Sequence, residues 1–595
     1  MVDVMREYNG AERWVLRGIL PRFGALPFAE EQLAGLYAEG PWTGAEIRLA
    51  LRRLVRDGVL VEWRPAWGDR TWQLPAAEAV RWHRVLFPLH PDPLPETEES
   101  AVSRDAAVHR LPLSLELLLV WAELERRGGL PLTRRGGPHR TAAARLAAEM
   151  RLKAEELAGL PFPPDAPEGL AEKGDAAGVR DGGPAEYGGL PPQLALAIDL
   201  GLRCRALKRE PERIAVDSAG LADWLAQSRG EADDALFSLL LEHYASRDPS
   251  LFFAACTLRQ FPSGRWFRLD DAVRAGADAA ALETWMAYMV SFGWLERGRS
   301  GRGMVFRRKK PPEETEGPSR ALRVLPDLEV WVLPEAGLRC RYELERIAER
   351  SSADEVFVYR LTQAACARAQ AVGLGREDAV SFLERESGHP LPAPVKAALA
   401  DWFAGPATGT SEGPSPENRR AGSRDAAPAA NRGAVDGSAG HRTATDCGTA
   451  HPAFGVAAAR GSEAPASAPD DEPEELFPGL QTVPPTWLQA MRRYHPSTAG
   501  LLVRQALAWR TGLRLSVRGR EIEFVPLSLE RTADQWEARG FIRESREEND
   551  GADAGAASAD APPYETREAV IRAADVAELR IALPAGLTGP PSGMV

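Results

Sequence analysis

The chain has 595 residues, 44% of them hydrophobic, and a formal net charge of −12; it is too long for one core, and its length suggests about three to five domains. An acidic balance excludes a polybasic coat for nucleic acid, so any such contact has to come from local patches. Five scattered cysteines, Cys204, Cys256, Cys340, Cys366 and Cys447, have no C-x-x-C spacing, which argues for reduced thiols and against a zinc ribbon or other metal centre.

Residues 1–80 carry the element order of a winged helix. Helices are predicted at 11–22, periodic in Trp14, Val15, Gly18 and Ile19, and at 30–38, carrying Leu33, Leu36 and Tyr37. Thr43 caps a third helix that Gly58 stops, and 59–64 with 71–74 form a hairpin around Trp67-Gly68-Asp69-Arg70. In the third helix Ile47, Leu51, Leu54 and Val55 face the core. Arg48, Arg52 and Arg56 are left in a stripe at four-residue spacing, with Arg53 nearby. Such a stripe enters a major groove on one reading and is a solvated face on the other.

Residues 81–159 read as a helical linker region with a segment like a helix-turn-helix. Leu117, Leu118, Val120, Trp121 and Leu124 mark an apolar helix, followed by the basic turn Arg134-Arg135-Gly136-Gly137 and a helix capped by Thr141. That turn either holds a phosphate on free amides or is a plain surface loop. Residues 160–190, rich in Pro, Gly, Ala and charge, read as a loose insertion, and 191–249 as a helical region.

A second winged helix is predicted over 250–310. Its helix at 279–292 presents Leu282, Trp285, Met286, Met289 and Val290, a stripe so apolar that it belongs to a core or interface. The basic charge lies in the hairpin that follows. Between Trp294 and Lys310 stand Arg297, Arg299, Arg302, Arg307, Arg308, Lys309 and Lys310, against Glu296 as the one acidic residue. Ser300-Gly301-Arg302-Gly303 forms the wing tip, able to bring Arg302 to a phosphate or a minor groove, while 307–310 track the backbone. The plain alternative is a solubilising hairpin that joins a linker at 311–319.

Residues 321–404 form the block with the most specific pattern. Short apolar runs, Leu322, Val324 and Leu325, then Leu328, Val330, Trp331 and Val332, flank a Pro326-Asp327 turn. A helix is predicted at 342–349, a strand at 356–358, a Thr362-capped helix to Ala371, and two more helices at 376–386 and 395–403. In Leu325-Pro326-Asp327, Tyr359-Arg360-Leu361-Thr362, Gly373, Glu377-Asp378, Phe382-Leu383-Glu384 and Pro390-Leu391-Pro392 leading to Trp402, this block resembles the helicase-associated domain at the N-terminus of XPB. That resemblance implies an α/β module that sits beside a motor and approaches duplex DNA.

Residues 405–475 have few large apolar side chains and read as a disordered linker; the mixed spacing of His441, Cys447 and His451 within it is read as chance rather than a metal site. Beyond it, 476–585 predict a helix at 497–509 and short alternating strands, a small β-barrel-like domain. With Val525-Pro526-Leu527-Ser528-Leu529 and a strand at 536–541, this resembles a WYL domain, although Trp536-Glu537-Ala538 stands where the family has Trp-Tyr-Leu. The family is associated with sensing ligands or single-stranded nucleic acid, a role for which Arg514, Arg518 and Arg520 are candidates; ordinary surface arginines are the alternative.

The fold expected is therefore multidomain, mainly α with α/β modules. No Gly-Lys pair occurs anywhere, so the phosphate-gripping loop of an ATP-driven motor is missing from this sequence. The acidic pair Asp354-Glu355 follows Ser-Ser-Ala rather than an apolar strand and reads as a connection, not a magnesium site. No catalytic motif is recognisable and the nine histidines do not cluster, which predicts a non-enzyme without cofactor. Residues 1–10 are charged and no run approaches about 18 uncharged apolar residues, so a cytoplasmic protein without membrane contact is expected. The expected partner is duplex or forked DNA, in repair or transcription control. The alternative is a protein-interaction scaffold that recruits or regulates a separate helicase or nuclease.

Overall fold

The computed structural model describes residues 8, 10–64, 70–105, 110–134, 136–163, 190–311, 320–353, 356–404, 476–532, 535–545 and 564–584. The expectations for the 405–475 linker, most of the 160–190 insertion, Trp67-Gly68-Asp69, Arg135 and Asp354-Glu355 lie outside these residues.

At the N-terminus the Thr43 hydroxyl accepts from the Glu46 amide (3.2 Å), and the Glu46 carboxylate accepts from the Thr43 amide (2.8 Å). This reciprocal cap satisfies two orphan donors and starts the helix Gly44–Arg56. Ile47, Leu51 and Leu54 are buried as their spacing requires, packed with Val15, Leu16 and Ile19 of the helix Gly10–Phe23. The helix expected at 30–38 is divided into a 3-10 turn Glu30–Leu33 and a short helix Ala34–Glu39. Strands Val61–Trp63 and Thr71–Gln73 pair as a hairpin, and Phe28–Ala29 adds a third strand beside the second.

One continuous buried apolar cluster extends from Tyr8 to Leu399. Trp121 of the helix Leu113–Arg126 is fully buried in it, edge-on to Trp224 at 4.8 Å and donating to the Ala197 carbonyl (3.3 Å). Helices Pro249–Arg259 and Ala279–Ser291 bring Phe252, Trp285, Met286 and Met289 into the same core.

Residues 322–360 build a four-stranded antiparallel sheet in the spatial order Leu322–Val324, Glu329–Val332, Phe357–Arg360, Glu349–Ala353. Its helix is Leu338–Ile347 rather than 342–349, because Glu349–Ala353 is itself the edge strand. That strand reads Glu-Arg-Ser-Ser-Ala, without the apolar alternation that reveals a strand in sequence. Helices Gln363–Ala371, Arg376–Ser387 and Ala393–Phe403 complete the block.

The C-terminal sheet has five antiparallel strands in the order Tyr564–Arg572, Gln535–Ser545, Arg520–Thr532, Gly512–Val517, Val576–Ala582. The barrel expected here is not formed: among the described residues none of the five sheets closes on itself. The two outer strands are consecutive in the chain and joined through the turn Ala573–Asp575, so the sheet curls until its edges meet at one end. The helix Pro496–Trp509 packs against this sheet through Leu502, Val503 and Ala506, which share its buried cluster. The chain is thus a mixed α/β multidomain protein, and no helix among the described residues is long and apolar enough to cross a membrane.

Candidate nucleic-acid interface

The basic hairpin is formed by Leu295–Ser300 and Gly303–Arg308, with Arg307 opposite Glu296 and Arg308 opposite Leu295. Strand alternation puts Arg297, Arg299 and Arg308 on one face and Arg307 on the other. Leu295 and Phe306 face the main core, and Arg308 shares that face. Its guanidinium donates to the carbonyls of Arg259 and Phe261, both at 2.9 Å, and burial lowers its pKa. On the opposite face Arg307 pairs with Glu296 (2.5 Å) and lies over the Trp266 ring at 5.0 Å. Arg297 approaches Asp105 at 3.5 Å. Arg299, Arg302 and Lys310 are exposed, and Lys309 is half-buried with its amide donating to the Trp294 carbonyl (2.8 Å). The charge counted in sequence therefore divides into a structural part, Arg297, Arg307 and Arg308, and a part turned to solvent at the tip and root of the hairpin.

The N-terminal arginine stripe is divided in the same way. Arg48 donates to the Trp509 carbonyl at 2.6 Å, and burial lowers its pKa. Ala45 belongs to the buried cluster of the C-terminal sheet, and its amide donates to the Arg510 carbonyl (2.9 Å). The first half of the helix Gly44–Arg56 thus carries the C-terminal module. Arg52 is half-buried, and Arg56 is exposed beside Asp57 at 3.4 Å.

Where the hairpin ends, a cleft of about 430 Å³ opens. Arg308, Lys309 and Lys310 line one side, the start of the helix Arg229–His243 another, and Pro334, Arg341 and Phe357 a third. Arg229 donates to the Pro334 carbonyl (2.8 Å), tying that helix to the 322–360 sheet. Arg341 donates to the carbonyls of Ala336 (3.1 Å) and Leu333 (2.9 Å), with its guanidinium 4.7 Å from the Phe357 ring centre. Sequence reading missed Arg110, Arg229 and Arg341 as neighbours of the hairpin, since they lie far apart in the chain and only folding brings them together. Among the described residues no group of His, Cys, Asp and Glu has the arrangement of a metal site.

Residues 322–405 match the protein family described as helicase conserved C-terminal domain. No curated protein matches the chain. The segment that forms the third wall of the cleft is therefore the one that links this chain to helicase-associated domains.

Proposed function

We propose that this chain is a non-catalytic accessory protein that binds duplex or forked DNA beside a helicase-type domain, in repair or transcription control. The observation that carries this reading is the exposure of Arg299 and Arg302 on a hairpin whose root, through Lys309 and Lys310, shares a cleft with the helicase-family block. Cations on a projecting hairpin hold phosphates without reading bases. The hairpin with its preceding helices is read as a winged helix, 321–404 as an XPB N-terminal-like domain, and 476–585 as a degenerate WYL-like module. The N-terminal winged helix is assigned a smaller share, through Arg52 and Arg56, because Arg48 is engaged with Trp509.

The test is binding to labelled duplex, forked and single-stranded DNA across a salt series. Arg299→Ala with Arg302→Ala removes two cations, so the slope of log K against log salt should become shallower by about 2 on duplex DNA. Wild-type binding and slope in the double variant would refute the assignment. If the protein binds none of these DNAs at low salt, the scaffold reading takes precedence. It predicts that a helicase or nuclease copurifies after nucleic acid has been digested away.

A further inference from the structure

The cleft at the hairpin root has the composition of a ligand site rather than of a packing defect. Its volume of about 430 Å³ lies within the range of about 300–1,000 Å³ usual for small-molecule pockets. Leu111, Pro112, Leu115, Phe237, Met289 and Pro311 supply apolar wall. Arg110, Arg229, Arg308, Lys309, Lys310 and Arg341 supply cations, against the carboxylates of Asp233 and Asp234. Two of those cations belong to buried residues: Arg229 is 5% exposed and Arg341 2%. Asp233 accepts from the Ser114 amide (3.1 Å), and burial pushes its pKa up.

An apolar slot rimmed by cations, with two carboxylates in its lining, suits a ligand that is a flat ring at one end and an anion at the other. We propose that the cleft binds a nucleotide unit. Its phosphate lies toward Lys309 and Lys310 at the hairpin end, and its base lies against the wall formed by Phe237 and Met289. Asp234 adds a carboxylate to the lining, and a carboxylate accepts from a base that carries an amino group. The source of the unit, a free nucleotide or one nucleotide of a strand held along the hairpin, rests on the DNA-binding reading. The cleft's chemistry is the same for both.

Deoxyadenosine monophosphate and deoxyadenosine are titrated calorimetrically into the full chain and into two variants. Gly230 lines the cleft, and a Cβ there would meet the Pro311 ring at 3.4 Å, an ordinary contact. Gly230→Phe therefore fills the space from a helix position that accepts a side chain, and an unchanged melting curve verifies its fold. Lys309→Glu reverses a charge while leaving the volume. The wild type should bind the monophosphate at least tenfold tighter than the nucleoside, and each variant should lose at least tenfold. Absence of wild-type binding at millimolar concentration would overturn the proposal. So would equal affinity for nucleoside and nucleotide, or two variants that bind like the wild type.

Competition separates the two sources. Displacement of a 5′-phosphorylated oligonucleotide by excess monophosphate assigns the cleft to a nucleotide of a strand. Monophosphate binding without displacement assigns it to a free nucleotide. Arg299→Ala with Arg302→Ala leaves the cleft intact, so it should weaken oligonucleotide binding and spare monophosphate binding. Failure of the hairpin reading and failure of the cleft reading thus give different results.

Discussion

His83 is 1% exposed. Its Nε2 lies 3.3 Å from the Thr257 hydroxyl and its Nδ1 3.2 Å from the Gln260 side-chain nitrogen. An amide donor aimed at Nδ1 suits the neutral ring, and burial lowers the pKa from 6.5 to about 4. Because the folded pKa lies below the unfolded one, the unfolded state takes up the proton first as pH falls. The stabilisation is complete above pH 6.5 and is lost between there and about 4, by roughly 3 kcal/mol. Urea denaturation across this window should show a steeper acid loss in the wild type than in His83→Gln; parallel curves would contradict the assignment. Gly293 gives a second test at this scale. Its φ is +71°, and a Cβ there would lie 2.4 Å from the Leu111 carbonyl oxygen. Gly293→Ala should cost about 2–4 kcal/mol in thermal or urea melts.

Among the elements, the helix Gly44–Arg56 carries two duties. One face packs into the N-terminal core, and its first turn holds the C-terminal sheet. Arg543 pairs with Glu46 at 2.7 Å and with Glu523, and its guanidinium lies 4.1 Å from the Tyr564 ring centre. The residue is 7% exposed, so removing it leaves two carboxylates facing one another in a poorly solvated contact. Arg543→Met should cost about 3–5 kcal/mol and raise hydrogen exchange in residues 44–56 and 564–572, while leaving 113–126 protected. Uniform exchange would mean that Arg543 does not secure this contact.

The inward half of this helix was legible in sequence because Ile47, Leu51 and Leu54 recur at helical spacing. Its docking was not, because Arg48 meets a carbonyl 461 residues away in the chain, and no local pattern encodes that distance. The same limit hid the strand Glu349–Ala353. As a polar edge strand it carries no apolar alternation, and only its ladder to Phe357–Arg360 defines it. The five-stranded C-terminal sheet was legible as strands but not as an open sheet, since alternation marks each strand and not whether the two edge strands pair.

For the molecule as a whole, a net charge of −12 means that DNA contact has to come from a patch strong enough to oppose the general field. The density of that patch was visible in the run from Arg297 to Lys310. Its division was not, because Arg299 and Arg308 share one face of the hairpin and differ in their place along it: Arg308 stands at the root, where the Arg259 and Phe261 carbonyls hold it, and Arg299 stands near the exposed tip. The cleft was invisible for a related reason: Arg110, Arg229 and Arg341 reach it from three separate segments.

The measurement that bears most directly on the central claim is the salt dependence of duplex DNA binding by the wild type and by Arg299→Ala with Arg302→Ala. The wild type should bind at micromolar concentration or tighter with a steep salt slope, and the double variant should bind more weakly with a slope shallower by about 2. Equal affinity and equal slope in the two proteins would contradict the hairpin as the DNA-binding element.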